Sequence, residues 1–111
     1  MKNNKLYLLH ILECISRIEK YCADDSESFM NSKLLQDAVL RNLQTIGQSS
    51  INLSEDIKKD HPEIDWRAIN SLRNVLVRNY LGIDMKYIWD VIEQDIPDLK
   101  KKTISILASL R

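Results

Sequence analysis

The stretch "RNVLVRNY", residues 73–80, gathers the side chains best suited to chemistry. Arg73 carries a planar fork of donors that matches the oxygens of a phosphate. Asn74 can orient a neighbour through either end of its amide, and Tyr80 can donate a hydrogen bond or accept a covalent group on its hydroxyl. Arg78 adds a second cation, but its guanidinium stays protonated and is no general base near neutral pH. On residue types alone, a phosphate-handling site and the solvated face of an ordinary helix both fit. Geometry sharpens the choice. At roughly 100 degrees per residue, Arg73 and Tyr80 lie about 20 degrees apart on a straight helix, and Arg78 lies about 140 degrees from Arg73. The three share one pocket only if Gly82 loosens the helix end or if two copies of the helix meet in a common cleft.

The elements that must position these residues are helical. Residues 5–23 place Leu8, Ile11, Leu12, Ile15, Ile18 and Cys22 at intervals of three and four, with charged residues between them. "ADDSES", 23–28, is a polar break. A longer pattern from about 29 to 60 carries Leu35, Ala38, Val39, Asn42, Leu43, Ile46, Ser50, Leu53 and Ile57. Within it "IGQSS", 46–50, puts small residues on a stripe where larger apolar groups are usual. Glycine there costs up to about 1 kcal/mol against alanine, which points to close approach by another helix or to a bend. Pro62 ends the pattern. Asp65 is placed to cap a third helix with Trp66, Ile69, Leu72 and Leu76, which Gly82 breaks or kinks. Asp84 caps a fourth, with Met85, Ile88, Trp89 and Ile92 inward. Pro97 opens a fifth, lined by Leu99, Thr103, Leu107 and Leu110. No strand-like alternation or repeat appears. The expected class is all-α, an antiparallel helical bundle of about five helices.

Composition agrees with that class and limits function. The chain has 111 residues, enough for one domain over 1–111, and only two glycines and two prolines. Sixteen basic and sixteen acidic residues cancel, so attraction to nucleic acid must come from a local patch rather than from overall charge. Cys14 and Cys22 have neither a disulfide-framework nor a metal-ligand spacing and read as reduced core thiols. The opening "MKNNKLYLLHILECI" mimics a signal peptide faintly, but His10 and Glu13 interrupt it. No apolar run approaches the ~20 residues that span a bilayer, and a cytoplasmic protein is expected.

The only histidines are His10, read as a core-edge residue of the first helix, and His61, read as a loop or capping residue. Lys100–Lys102 read as a solvated face, with a weaker alternative in which they draw RNA or an acidic partner. Trp66 and Trp89 are expected in the core. No metal site is expected.

Taken together, "FMNSKLLQDAVLRNLQTIGQSS", "HPEIDW", "SLRNVLVRNYLGIDMKYIW" and "IPDLKKK" resemble the HepT family, over about residues 5 to 105. These are small all-helical ribonuclease toxins of the HEPN superfamily, paired with a minimal nucleotidyltransferase (MNT) antitoxin. The family signature is Arg, four residues, His, one residue, Tyr. Arg73 and Tyr80 fall on the outer positions, whereas Arg78 stands at the histidine position. The resemblance implies a homodimer or higher oligomer whose interface cleft cuts RNA without metal or cofactor. It also implies that Tyr80 is the acceptor of AMP from the antitoxin. Gln48 stands where the family usually has glutamate, as a support for packing or for the cleft's hydrogen bonds. With no histidine at 78, cleavage is expected to be lost or weakened, whether the arginine is natural or a deliberate substitution. The alternative is a HEPN-type partner of a nucleotidyltransferase that binds without cutting.

Overall fold

Polar side chains set the helix starts. In the computed structural model, which describes residues 3–23 and 25–110 with Tyr80 by its backbone alone, α1 spans Asn4–Tyr21. It opens where the Asn3 side chain accepts from the Leu6 N–H at 3.1 Å. Asp25 does the same for α2, Ser26–Met30; Ser32 for α3, Lys33–Ile51; and Ser54 for α4, Glu55–Asp60. Each cap satisfies an N–H that has no partner inside its own helix. The single long helix expected from about 29 to 60 is therefore three. Its apolar spacing runs on, but Ser32 and Ser54 adopt extended backbone angles and turn the chain.

The expected caps of the later helices are in place. Asp65 accepts from the Ala68 N–H at 2.9 Å and opens α5, Trp66–Arg78. A 3₁₀ turn, Tyr80–Gly82, follows, and Asp84 then caps α6, Met85–Asp90. Pro97 does not begin a separate rod. A π turn, Val91–Asp95, joins α6 to α7, Ile96–Ser109, with right-handed helical angles at Asp90, Val91, Asp95 and Ile96. Proline has no N–H, and its ring crowds the carbonyl four residues back. The wider π turn accommodates both, with the Ile96 N–H reaching the Val91 carbonyl.

Helix α3 lies between α1 and α5 and packs against both. It runs antiparallel to each. The start of α1 is tied to the end of α3, where Asn4 Nδ2 donates to Ser54 Oγ at 3.0 Å and the Ser54 N–H donates to Asn4 Oδ1 at 2.9 Å. Along α5, Gly47 faces Arg73 while Gln44 reaches the carbonyl of Leu76 at 3.4 Å. Leu8, Ile11, Ile15 and Ile18 of α1 meet Val39, Leu40, Leu43 and Ile46 of α3 in the core, with Ile88, Ile96, Leu99 and Ile106 from the C-terminal half. Trp89 stacks on Phe29 with ring centres 5.4 Å apart, and Trp66 donates its indole N–H to the His61 carbonyl at 3.1 Å. Both tryptophans pack against the core as expected. Leu110 does not; it is exposed, and Ile106 fills the inward position instead. The result is an all-α bundle, and among the described residues no helix is long and apolar enough to cross a membrane.

Candidate functional site

Gly47 decides where Arg73 lies. A Cβ on Gly47 would sit 2.6 Å from Arg73 Cβ and 3.0 Å from its Cγ, far inside normal contact. Only glycine lets the aliphatic stem of Arg73 lie flat on α3 while its charged head reaches outward. The small residues of "IGQSS" thus serve a close approach, and the approaching helix is α5 of the same chain rather than a second copy. Ser50, buried beside this contact, donates its hydroxyl to the Gly47 carbonyl at 2.8 Å.

The head of Arg73 is half-buried, and its Nη1 donates to Asn74 Oδ1 at 3.2 Å. Asn74 therefore orients its neighbour. Among the described residues no carboxylate pairs with Arg73, so the rest of the fork is open to an anion. It opens onto a groove of about 430 Å³ formed by three helices. Tyr7 and His10 come from α1, and Arg73 and Val77 from α5; Arg41, Gln44, Thr45, Gln48, Ser49 and Asn52 line the floor along α3 and its C-terminal cap. Among the described residues, the lining holds two arginines and a histidine and no carboxylate. In a chain of zero net charge, this is the local patch an anion needs.

The structure thus puts Arg73 and Gln48 on one groove, with Asn74 bonded to Arg73, and leaves Arg78 apart. Arg78 is the exposed last residue of α5 and does not line the groove. The side chain of Tyr80 lies outside the described residues. Its backbone lies past the end of α5, because Asn79 departs from helical angles at φ −130° and ψ 42°. The straight-helix spacing of Arg73 and Tyr80 stops at Arg78, and the break comes three residues before Gly82, the residue expected to cause it. Gly82 instead closes the 3₁₀ turn, donating its N–H to the Asn79 carbonyl at 3.1 Å.

His10 is a correction. It is exposed and faces the groove, with Tyr7 packed edge-on at 6.2 Å between ring centres. Arg41 was also missed. The sequence does carry a signal for this floor: Arg41, Thr45, Gln48 and Asn52 recur at three- and four-residue intervals, a polar stripe beside the buried one. His61 takes the loop role expected of it, ending α4 with Nδ1 3.1 Å from Glu63 Oε2. The Lys100–Lys102 run is partly engaged elsewhere. Lys100 pairs with Glu19 at 3.0 Å, and Lys102 pairs with Asp98 at 2.8 Å and donates to the Glu63 carbonyl at 2.7 Å.

A second hollow, of about 290 Å³, opens between α3, α5 and the α6–α7 rod. Its walls are apolar, and its rim carries Glu63, Asp65, Asp95, Asp98 and Lys102. Neither cysteine lines either hollow; burial pushes both thiols up, that of Cys22 to about 11. Among the described residues no three His, Cys, Asp or Glu side chains gather in a way that would hold a metal ion.

The family described as Ribonuclease HepT-like matches residues 11–106, a span that contains the whole of "RNVLVRNY". The chain belongs to the HepT-like ribonuclease family. It is 39% identical over 102 residues to the "Probable ribonuclease HepT" of Thermococcus cleftensis, covering 91% of this chain and 93% of that protein. It is 40% identical over 110 residues to the "Gamma-glutamylcyclotransferase and putative RNase" of Methanocaldococcus jannaschii, covering 98% of this chain but only 50% of that longer protein. A further RNase-named protein of Methanocaldococcus jannaschii is 33% identical over 99 residues, covering 88% of this chain and 91% of the relative. No solved structure matches. The groove is therefore a hollow on a chain of the HepT-like family, with Arg73 on its wall.

Proposed function

We propose that this chain is the toxin component of a HEPN/MNT toxin–antitoxin module, a metal-independent endoribonuclease whose cleavage is lost or much weakened. The observation that carries the reading is Arg73, set in a groove whose described lining has no carboxylate, in a chain of the HepT-like ribonuclease family. Without a metal, RNA is cut by its own 2′-hydroxyl attacking the neighbouring phosphorus. Arg73 holds the phosphate and offsets the charge that develops on its oxygens. The reaction also needs a group that moves a proton. Arg78, at the family's histidine position, cannot be that group.

A second copy completes the arrangement. Beside the motif, Val75 and Val77 are 47% and 57% exposed and Leu81 is 93% exposed, apolar surface that association would cover. A homodimer docked there carries the two Arg78 side chains towards a shared cleft and makes HepT-like HEPN domains over 1–111 the units of the assembly. AMP transfer to Tyr80 by an MNT-type nucleotidyltransferase adds a charged phosphodiester and a nucleoside beside that cleft and opposes RNA entry. The exposed position of Arg78 also supports the second reading, a HEPN-type partner that binds a nucleotidyltransferase without cutting.

The test is RNA cleavage by Arg78→His against the unaltered chain. The substitution is expected to raise the rate by about 10²–10⁴-fold, the usual contribution of general acid–base help. A fully active unaltered chain overturns the reading. Intact mass after co-expression with an MNT partner is expected to show AMP on Tyr80; an adduct elsewhere removes that assignment.

A further inference from the structure

Arg78 leaves the reaction without its expected proton carrier, yet a histidine stands in the groove. We propose that His10 is a catalytic residue for RNA cleavage by this chain, taking the 2′-hydroxyl proton while Arg73 and Arg41 hold the phosphate. The proposal rests on the nuclease reading above and deepens it.

Three observations point the same way. His10 and Arg73 line one groove, although they lie on different helices and 63 positions apart in the chain. Among the described residues, neither ring nitrogen of His10 has a hydrogen-bond partner, in contrast to His61, whose Nδ1 meets Glu63 at 3.1 Å. The groove's volume, about 430 Å³, is also on the scale of a nucleotide.

The chemical surroundings suit the task. Tyr7 on the same helix packs against His10, and the charged groups that line the groove with it are Arg41 on α3 and Arg73 on α5. The nearest carboxylate along α1, Glu13, is engaged by Arg17. An imidazole can accept a proton near neutral pH and return it to solvent, which a guanidinium cannot. The step balances simply. A ring nitrogen of His10 takes the proton of the 2′-hydroxyl, and the 2′-oxygen forms a bond to phosphorus. The bond from phosphorus to the 5′-oxygen breaks, and that oxygen takes a proton from water. The products are a 2′,3′-cyclic phosphate and a 5′-hydroxyl, and His10 returns its proton to solvent.

The experiment compares cleavage of a labelled single-stranded RNA by the unaltered chain, His10→Gln, His61→Gln and Arg78→His across pH 5 to 8, with RNA affinity measured alongside. The proposal expects weak cleavage by the unaltered chain, rising with pH. It expects His10→Gln to cut that rate by roughly 100-fold and flatten its pH dependence, at unchanged affinity. His61→Gln leaves both unchanged. Equal cleavage with and without His10 overturns the proposal. So does an inert unaltered chain alongside an active Arg78→His, which leaves the nuclease reading standing. If Arg78→His is inert as well, the nuclease reading itself falls.

Discussion

The two hollows of this small bundle have opposite chemistry. Among the described residues, the groove between α1, α3 and α5 carries Arg41, Arg73 and His10 and no carboxylate; the cavity beside α6 and α7 carries four carboxylates and one lysine. Although the chain carries sixteen charges of each sign, the two hollows differ in the sign they present. An RNA phosphate is attracted to one side and repelled from the other, which total charge cannot convey. The way the hollows are built differs too. The groove exists because Gly47 lets α5 settle on α3, whereas the acidic rim is a row of surface side chains over apolar walls.

Removing the groove's cations is the strongest way to break the contrast. Arg41→Ala with Arg73→Ala is expected to weaken single-stranded RNA binding by roughly tenfold or more for each charged hydrogen bond lost. The slope of log affinity against log salt should become shallower by about 0.7 for each phosphate contact removed. Asp95→Asn with Asp98→Asn is the matched change in the other hollow. Fluorescence anisotropy at several salt concentrations should show a far smaller effect there, and an equal one would mean that the sorting of charge does not matter.

The next test acts on the contact beneath the groove. Gly47→Ala gains up to about 1 kcal/mol of helix propensity but places a methyl 2.6 Å from Arg73 Cβ, an atom fixed to the α5 backbone. Overpacking of that kind costs roughly 1–3 kcal/mol, so a net loss is expected, read as a fall of several degrees in thermal midpoint and weaker RNA binding. Gly82→Ala gives the comparison. The nearest atoms to its methyl would be those of the Asn79 side-chain amide, from 2.8 Å away, which can swing aside. A larger loss at Gly82 than at Gly47 would remove the special role given to the α3–α5 contact.

The last test lies away from both hollows and leaves the contrast between them untouched. Burial raises the Cys22 thiol from 9.0 to about 11, so at pH 8 the reactive thiolate is about 100-fold scarcer than in an unfolded chain. Alkylation at Cys22, followed by peptide mass, should be slower in the native protein by about that factor. The sign for stability follows. The neutral thiol favours the folded state, a contribution that is complete below pH 9 and lost as pH rises through about 11.

Much of the local structure was legible because its causes are local. Asp65 and Asp84 cap the helices they were expected to cap, since a carboxylate satisfies nearby N–H groups whatever the rest of the chain does. Ser32 and Ser54 were equally local, but a continuous apolar stripe hid them, and one long helix was expected where there are three. Pro97 was placed correctly near a helix start, yet a π turn carried the rod through it. Of the residues that the sequence singles out, Arg73 and Gln48 line one groove with Asn74 bonded to Arg73, and Arg78 lies elsewhere; His10, expected at the core's edge, lies in the groove.

By itself, the sequence determined the all-α class, most of the inward faces, the caps at Asp65 and Asp84, and the family to which the chain belongs. Each follows from spacing or from side chains acting on their nearest neighbours. Which faces meet was decided only by the tertiary structure. Periodicity says that Gly47 and Arg73 lie on helical faces, but not that those faces touch within one chain. Nor does it say that α1 brings His10 to the same groove. Such meetings depend on how helices pack against one another, and contacts between distant parts of the chain, not neighbouring residues, fix that packing.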